Sequence, residues 1–412
     1  MRPLIPALLL LAIAAIPARA QDDLSVWPNR LSSANSDDWL IQNHTRIRQM
    51  RPRLLVLDFA NGIPIDKARN KVDRLIAALR ESSRWHGYNN PQAPAFLDYQ
   101  VAKLVDLTDS NPPAEKLDGN STKYPRVPNW KEGINFQYGR LFQSEFTRLY
   151  DIADPKDPAH KLSLKEMADR GIINEVWFLA YQGKYGSPLE SVEVKQAYDE
   201  QLRKIPGKWM QAGNGAADDQ PWIGRSLRIL FINVERGPGC AMESLGHSLE
   251  GMARCGAIPY LNRYFTEYGG FDLDKRYGLP FDSLYGRDGA EMNYPNPNTL
   301  EFMWKGKQIR VDNYIPIGNN VHFLPNGRRD YDLDNPQPVL STIEHYRLHD
   351  GPAGKDKIEL FTTNKLDPYR DLASDCMGRW VVYWRQNMPG YGNRAVDDNG
   401  KLMKNWWPFL FY

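Results

Sequence analysis

SLRILFINVERGPGCAMESLGHSLEGMAR, residues 226 to 254, is the stretch on which the reading of the fold turns. Within residues 226 to 234, Ile229 to Ile232 form an unbroken apolar run flanked by Leu227 and Val234, which predicts a buried strand. Glu235-Arg236-Gly237-Pro238-Gly239 reads as a turn, and from about Cys240 to Arg254 the spacing predicts a helix. Strand, glycine turn and helix in succession make one α/β unit.

Outward from this unit the pattern repeats. Arg53 to Phe59 (RLLVLDF) is a second apolar strand, closed by an Asn61-Gly62 turn and followed by helical spacing from Ile65 to Leu79. Asn174 to Tyr181 (NEVWFLAY) is a third strand, and Phe96 to Leu107 is strand-like but of ambiguous type. Ser163 with Glu166 is a capping-box pattern that opens a short helix to Arg170. Phe136 to Tyr150 reads as helical. Asp367-Pro368 reads as the start of a long final helix through Leu372, Cys376, Trp380 and Tyr383, stopped by Pro389-Gly390.

Residues 111–135 and 259–335 are rich in Gly, Pro and Asn and read as surface excursions. The second carries only weak strand signals, at Phe302-Met303-Trp304 and Val321-His322-Phe323. The expected architecture is α/β: a mainly parallel sheet flanked by helices, with long loop-rich insertions. One large domain over residues 21–412 is expected, with 259–335 covering a cleft at one end of the sheet.

The first twenty residues read as a secretory signal peptide. Arg2 gives a positive start, Leu4 to Ile16 an apolar stretch interrupted by Pro6, and Ala18-Arg19-Ala20 the small residues of a cleavage site. The run is shorter than the ~20 residues that span a bilayer, and no cysteine stands at the cleavage point for a lipid anchor. A secreted or periplasmic protein without a membrane anchor is expected.

The chain has 52 Lys and Arg against 50 Asp and Glu, and loss of Arg2 and Arg19 with the leader would bring it to balance. Basic runs are also missing, which argues against nucleic acid and anionic membranes as partners. Three cysteines are too few to build a chain this long, so the core must come from packing. Cys240 and Cys255 bracket a helix that would hold them ~20 Å apart, so at most one of them pairs with Cys376. A thiol at Cys240 would stand near a helix N-terminus, where a thiolate is stabilised, though a buried inert thiol is the commoner case.

Chemistry is expected just beyond the carboxyl ends of the strands. Glu235 stands there, preceded by Asn233 and followed by Arg236 and a Gly-Pro-Gly turn that lets backbone approach a ligand. On the helix, Glu243, His247 and Glu250 share one stripe, extended by Arg254, while Met242, Leu245, Leu249 and Met252 form an apolar stripe roughly 150° away. The competing reading of the polar stripe is a solvated outer face. Gly246 weighs against it, since a mid-helix glycine costs about 1 kcal/mol and suggests that something packs closely there.

Two carboxylates flanking a sugar serve as acid and base or nucleophile in glycoside hydrolysis, and Glu235 with Glu243 or Glu250 fits that need. Alternatively Glu243, His247 and His322 would ligate a divalent metal such as zinc that activates water. There is no HExxH motif, serine elbow, phosphate loop or dinucleotide fingerprint. Glu175 sits at the unfavourable end of its strand, with Tyr181 and Gln182 at the favourable one. His345 and His349 beside Glu344 are explained equally well by a surface helical turn. Aromatic residues in polar loops, among them Tyr285, Tyr294, Tyr331, Tyr391, Trp406 and Trp407, would suit sugar stacking or simply packing.

Asn233-Val-Glu235-Arg-Gly237, Glu243-Ser-Leu-Gly-His247-Ser-Leu-Glu250, Asn320-Val-His322 with Pro325-Asn326, and Asn405-Trp406-Trp407 resemble, in that order, a group of large secreted bacterial proteins. The likeness covers roughly Glu175 to Trp407. It departs at Ala180-Tyr181-Gln182-Gly183, where the group tends to carry a Gly-Gly-Pro turn. The resemblance implies no activity; it implies that the Glu235 turn, the His247 helix and the His322 loop share one cleft.

The functional expectation is a secreted hydrolase acting on an extracellular glycan or small ligand. Glu235, Glu243 and Glu250 would be its acid/base or nucleophilic groups, and His247 and His322 orienting groups or metal ligands. Tyr181, Gln182, Asn233, Arg236 and Asn326 are expected to bind substrate. The alternatives are a metal-dependent peptidase or amidase and a non-catalytic glycan-binding protein.

Overall fold

The computed structural model describes residues 23–32, 36–113, 117–127, 133–183, 186–215 and 219–412. The expected signal peptide lies outside the described residues. Six strands form the central sheet: β1 (Arg53–Asp58), β2 (Gln100–Asp106), β3 (Glu175–Ala180), β4 (Ser191–Tyr198), β5 (Lys204–Ala212) and β6 (Leu227–Asn233). Their order is β5-β4-β6-β3-β1-β2. β6, β3, β1 and β2 run parallel to one another, whereas β4 pairs antiparallel with both β6 and β5. The sheet is therefore mixed, with β4 the one strand that runs against the others, and β4 and β5 are the part that the apolar-run reading did not see.

The parallel strands read as continuous apolar runs because both of their faces are covered. Leu54 and Val56, Trp177 and Leu179, and Leu230 and Ile232 point to one core; Leu55 and Leu57, Val176 and Phe178, and Ile229 and Phe231 point to the other. The first core is roofed by helices α1 (Ile65–Ser82), α3 (Pro238–Arg254) and α5 (Gly378–Gln386), which pack on one another. α2 (Leu164–Asp169), with the capping box Ser163–Glu166 complete, belongs to the second core. Between α3 and α5 in sequence comes α4 (Pro259–Tyr268). Among the described residues no helix is long and apolar enough to cross a membrane.

Four sequence expectations are corrected. Residues 259–335 are not loop throughout: they open with α4 and carry an antiparallel sheet of β7 (Met292–Asn296), β8 (Thr299–Trp304) and β9 (Lys307–Asp312). Val321-His322-Phe323 is a turn, because the Asn320 side chain accepts from the His322 and Phe323 N–H groups while the Val321 N–H goes to Glu250. Phe136 to Tyr150 divides into a 3-10 turn (Tyr138–Phe142) and a short helix (Ser144–Tyr150).

The long final helix is also two pieces, a 3-10 segment (Thr363–Tyr369) and α5, separated by Cys376 at φ 45°. That break brings the segment against α3. Cys376 forms a disulfide with Cys240, with Cα atoms 5.1 Å apart, so Cys240 is not the inert thiol expected. Asp375 accepts hydrogen bonds from the N–H groups of Gly237 (2.8 Å) and Gly239 (2.9 Å) at the start of α3. A Cβ at Gly239 would stand 2.0 Å from the Asp375 carbonyl oxygen, so the glycines of the turn admit the protein's own chain.

Candidate metal centre

Glu243, His247 and Glu250 of the α3 polar stripe face inward, whereas Arg254 at its end is exposed. Glu243 is 4% and Glu250 5% exposed, which rules out the solvated outer face. Loop 319–327 covers the stripe and packs tightly on Gly246, where a Cβ would meet Val321 Cγ2 at 2.7 Å. The loop is held by α5, whose Trp380 and Trp384 donate their indole N–H groups to the carbonyls of Asn320 (3.0 Å) and Asn319 (3.1 Å). Asn326 is fully buried and donates to the carbonyls of Asn335 and Gln337, so it shapes the loop. These anchors place His322 against the helix.

His247 and His322 face each other with their Nε2 atoms 2.9 Å apart. Glu243 Oε1 lies 3.2 Å from His322 Nε2 and 3.9 Å from His247 Nε2. On the far sides of the rings, His247 Nδ1 is 3.0 Å from Glu250 Oε2 and His322 Nδ1 is 3.4 Å from Asp330 Oδ1. A carboxylate only accepts, so His247 Nδ1 donates to Glu250, whereas Asp330 stands at ion-pair distance from His322 Nδ1 without a hydrogen bond. His247 Nε2, His322 Nε2 and Glu243 Oε1 converge on one point.

Without a metal these atoms share protons in the His247–His322 and His322–Glu243 hydrogen bonds; a cation at their common point would take the place of those protons. Ligand atoms bonded at ~2.0–2.2 Å to a tetrahedral zinc lie ~3.3 Å from one another. The observed 2.9, 3.2 and 3.9 Å bracket that spacing. Carboxylates behind both imidazoles are the usual outer support of metal-binding histidines, fixing tautomer and ring orientation. Glu250 is itself fixed by the Val321 N–H (2.8 Å) and the Tyr285 hydroxyl (3.0 Å).

Electrostatics keep these groups polarised. Burial opposes charge on His247, but the hydrogen bond and charge of Glu250, with Glu190 and Glu243 behind, raise its pKa above the ordinary value. Burial would raise Glu243 as well. Hydrogen bonds from His322, Tyr331 and the Met377 N–H outweigh it and hold the carboxyl below its usual range.

Glu243 and Tyr331 border a cavity of about 520 Å³ whose other walls include Gln182, Glu190, Asn233, Arg236, Ser244 and the Cys240–Cys376 pair. The structure therefore brings Gln182, Asn233 and Arg236 to the same cleft as Glu243. Glu235 lies outside it: the residue is exposed on the turn and is not among the cavity's lining residues. Tyr181 is turned toward the first turn of the fold, its hydroxyl donating to the Asn61 carbonyl. Glu175 is buried among Tyr99, Trp177 and Arg228. His345 is occupied by Asp350 and Glu359, away from this cavity. Tyr294, Trp406 and Trp407 are core, whereas Tyr285 and Tyr331 are exposed beside the centre.

Sequence reasoning missed Glu190, Tyr331 as a partner of Glu243, and Asp330. Only their position in the polar stretches before β4 and after His322 hinted at them. Set against known proteins, the chain matches no family model, no curated protein and no solved structure. The chemistry of the site rests on its own residues.

Proposed function

We propose that the protein is a divalent-metal-dependent hydrolase of peptide or amide bonds, working outside the cytoplasm with zinc held by Glu243, His247 and His322. The observation that carries this reading is the convergence of His247 Nε2, His322 Nε2 and Glu243 Oε1 while Glu250 and Asp330 stand beside the two Nδ1 atoms. Three protein ligands leave a coordination position for water or substrate, the arrangement of catalytic rather than structural zinc. Zinc in such a site lowers the pKa of bound water to ~7 and polarises a carbonyl.

The carboxylate mechanism on a glycan is supported less well. It needs one carboxylic acid that stays protonated to donate to the leaving group. Glu243 is held ionised by its three hydrogen-bond donors, and Glu235 lies outside the cavity. Glu190 is the second carboxylate lining the cleft and the candidate to take a proton from an attacking water. A polar cavity of this size suits a short peptide or an amide-bearing sugar.

Export is supported by the signal pattern in residues 1–20 and by the Cys240–Cys376 disulfide, a bond that persists in oxidising compartments. In such a compartment redox-inert zinc suits the two-histidine, one-carboxylate set better than ferrous iron, the other common occupant of such sets. The test is metal content and activity together. Protein purified without chelator should hold close to one zinc per chain and should hydrolyse members of a peptide and amide panel only when metal-loaded. Chelator-insensitive turnover, or no zinc uptake at micromolar concentrations, would overturn the reading.

A further inference from the structure

We infer that Tyr331 is a catalytic residue of this centre, its phenol hydroxyl donating a hydrogen bond to the substrate oxygen that becomes negatively charged at the metal. The inference rests on the metal reading above and assigns the reaction a component the ligand set does not supply.

The hydroxyl of Tyr331 stands 2.5 Å from Glu243 Oε1, the oxygen that also faces His322 and His247. Tyr331 also lines the 520 Å³ cavity, whereas the two histidines do not, so its hydroxyl lies at the boundary between centre and cleft. An atom bound at the open position of a tetrahedral centre lies ~3.3 Å from each ligand atom. A donor already touching one ligand atom is therefore within a small rotation of that bound atom. Preorganised donors of this kind, aimed where charge develops, contribute one of the larger single effects in acyl transfer.

The chain holds this tyrosine deliberately. Its backbone lies at φ 60°, a region that residues with a side chain seldom occupy. Both neighbours are clamped. Asp330 is bound to Arg287 and faces His322, and Asp332 accepts from the Arg328 backbone N–H (3.0 Å), Nε (2.7 Å) and Nη2 (3.0 Å). The Tyr331 ring rests on His322 with centroids 4.6 Å apart, yet the residue remains 49% exposed. Core packing alone would bury such a ring. Tyr285 makes the useful contrast: its hydroxyl is bound to Glu250, behind a ligand, and it does not line the cavity.

The experiment uses the full exported chain loaded with Co²⁺ in place of zinc and titrated with acetohydroxamate, whose oxygens bind the metal and imitate the developing oxyanion. Tyr331→Phe keeps the ring on His322 and removes only the donor. The expected result, read on protein kept saturated with Co²⁺, is a Kd for acetohydroxamate raised ~10- to 100-fold, beyond whatever loss of Co²⁺ affinity follows from the missing hydrogen bond to Glu243. An unchanged hydroxamate Kd would overturn the catalytic assignment while leaving the metal reading intact. Weakening of Co²⁺ alone, with the hydroxamate Kd of the Co²⁺-loaded protein unchanged, would also overturn it, since Tyr331 would then act only by holding Glu243. Wild-type protein that takes up no Co²⁺ removes both.

Discussion

His247 and His322, 75 residues apart in the chain, bring their Nε2 atoms to 2.9 Å across the gap between α3 and the loop that covers it. Each ring has a carboxylate beside its Nδ1, so both Nε2 atoms are turned to one point, where they are hydrogen-bonded to each other and could instead bind a metal. From this relationship the first prediction follows. Glu243→Gln and His322→Ala should each weaken zinc at least tenfold, whereas Glu235→Gln should leave it within threefold, as measured by competition with a chromogenic chelator. Equal effects of all three would remove the assignment of Glu243.

Backing carboxylates are worth ~10- to 100-fold in metal affinity where they have been removed from comparable sites. Asp330→Asn should therefore lower zinc affinity without abolishing it, and Glu250→Gln should do so more strongly because Glu250 also fixes Val321. Isothermal titration across the two variants checks the order.

Gly246→Ala tests how the loop seats on the helix. Alanine gains about 1 kcal/mol in helix propensity, but its Cβ would meet Val321 Cγ2 at 2.7 Å, an overlap costing typically 1–3 kcal/mol. A net loss of about 1–2 kcal/mol is expected in urea unfolding, with most of it recovered when Val321→Ala is added. A stabilised single variant would mean that the loop does not sit where it is described.

The Cys240–Cys376 disulfide closes a loop of 136 residues and ties the start of α3 to the segment that donates to Glu243 through Met377. Replacing both cysteines by serine should cost ~2–5 kcal/mol in unfolding free energy. Zinc affinity should fall in the same variant, and a reductant should reproduce both effects in the wild type.

Asp58, at the end of β1, has one oxygen accepting from the Ala60 N–H and the other without a partner. Burial, with the nearby Asp106 adding to it, raises its pKa to about 6. A folded-state pKa above the unfolded value of 3.8 means that the folded state holds the proton longer. The destabilisation is therefore absent below the unfolded pKa, grows as pH rises, and is complete above pH 6. The advantage of Asp58→Asn over wild type should widen by roughly 1–2 kcal/mol between pH 5 and pH 8 in urea titrations. A pH-independent difference would place the ionisation elsewhere.

Local pattern alone was enough to determine the strands β1, β3 and β6, the turn after β6, and both stripes of α3. Each of these is dictated by burial on known faces at the period of a strand or a helix, and that information is carried by neighbours in the chain. β4 was hidden because Glu193 and Lys195 make it look polar. Both are buried and pair with each other, and only the fold brings Arg228 to Glu193, with Glu175 pairing Arg228 in turn. The break at Cys376 was equally illegible, since what turns the chain is its bond to Cys240 and the capping of α3 by Asp375.

The candidate site divides in the same way. Sequence spacing put Glu243, His247 and Glu250 on one stripe, but whether that stripe met water or a partner depended on where loop 319–327 came to rest. Only the tertiary structure decided that His322 would face His247, that Asp330 would stand behind it, and that Tyr331 would reach Glu243. The physical reason is that lone pairs, carboxylates and hydroxyls act over ~3 Å, and nothing in local periodicity records which distant residue will occupy that distance.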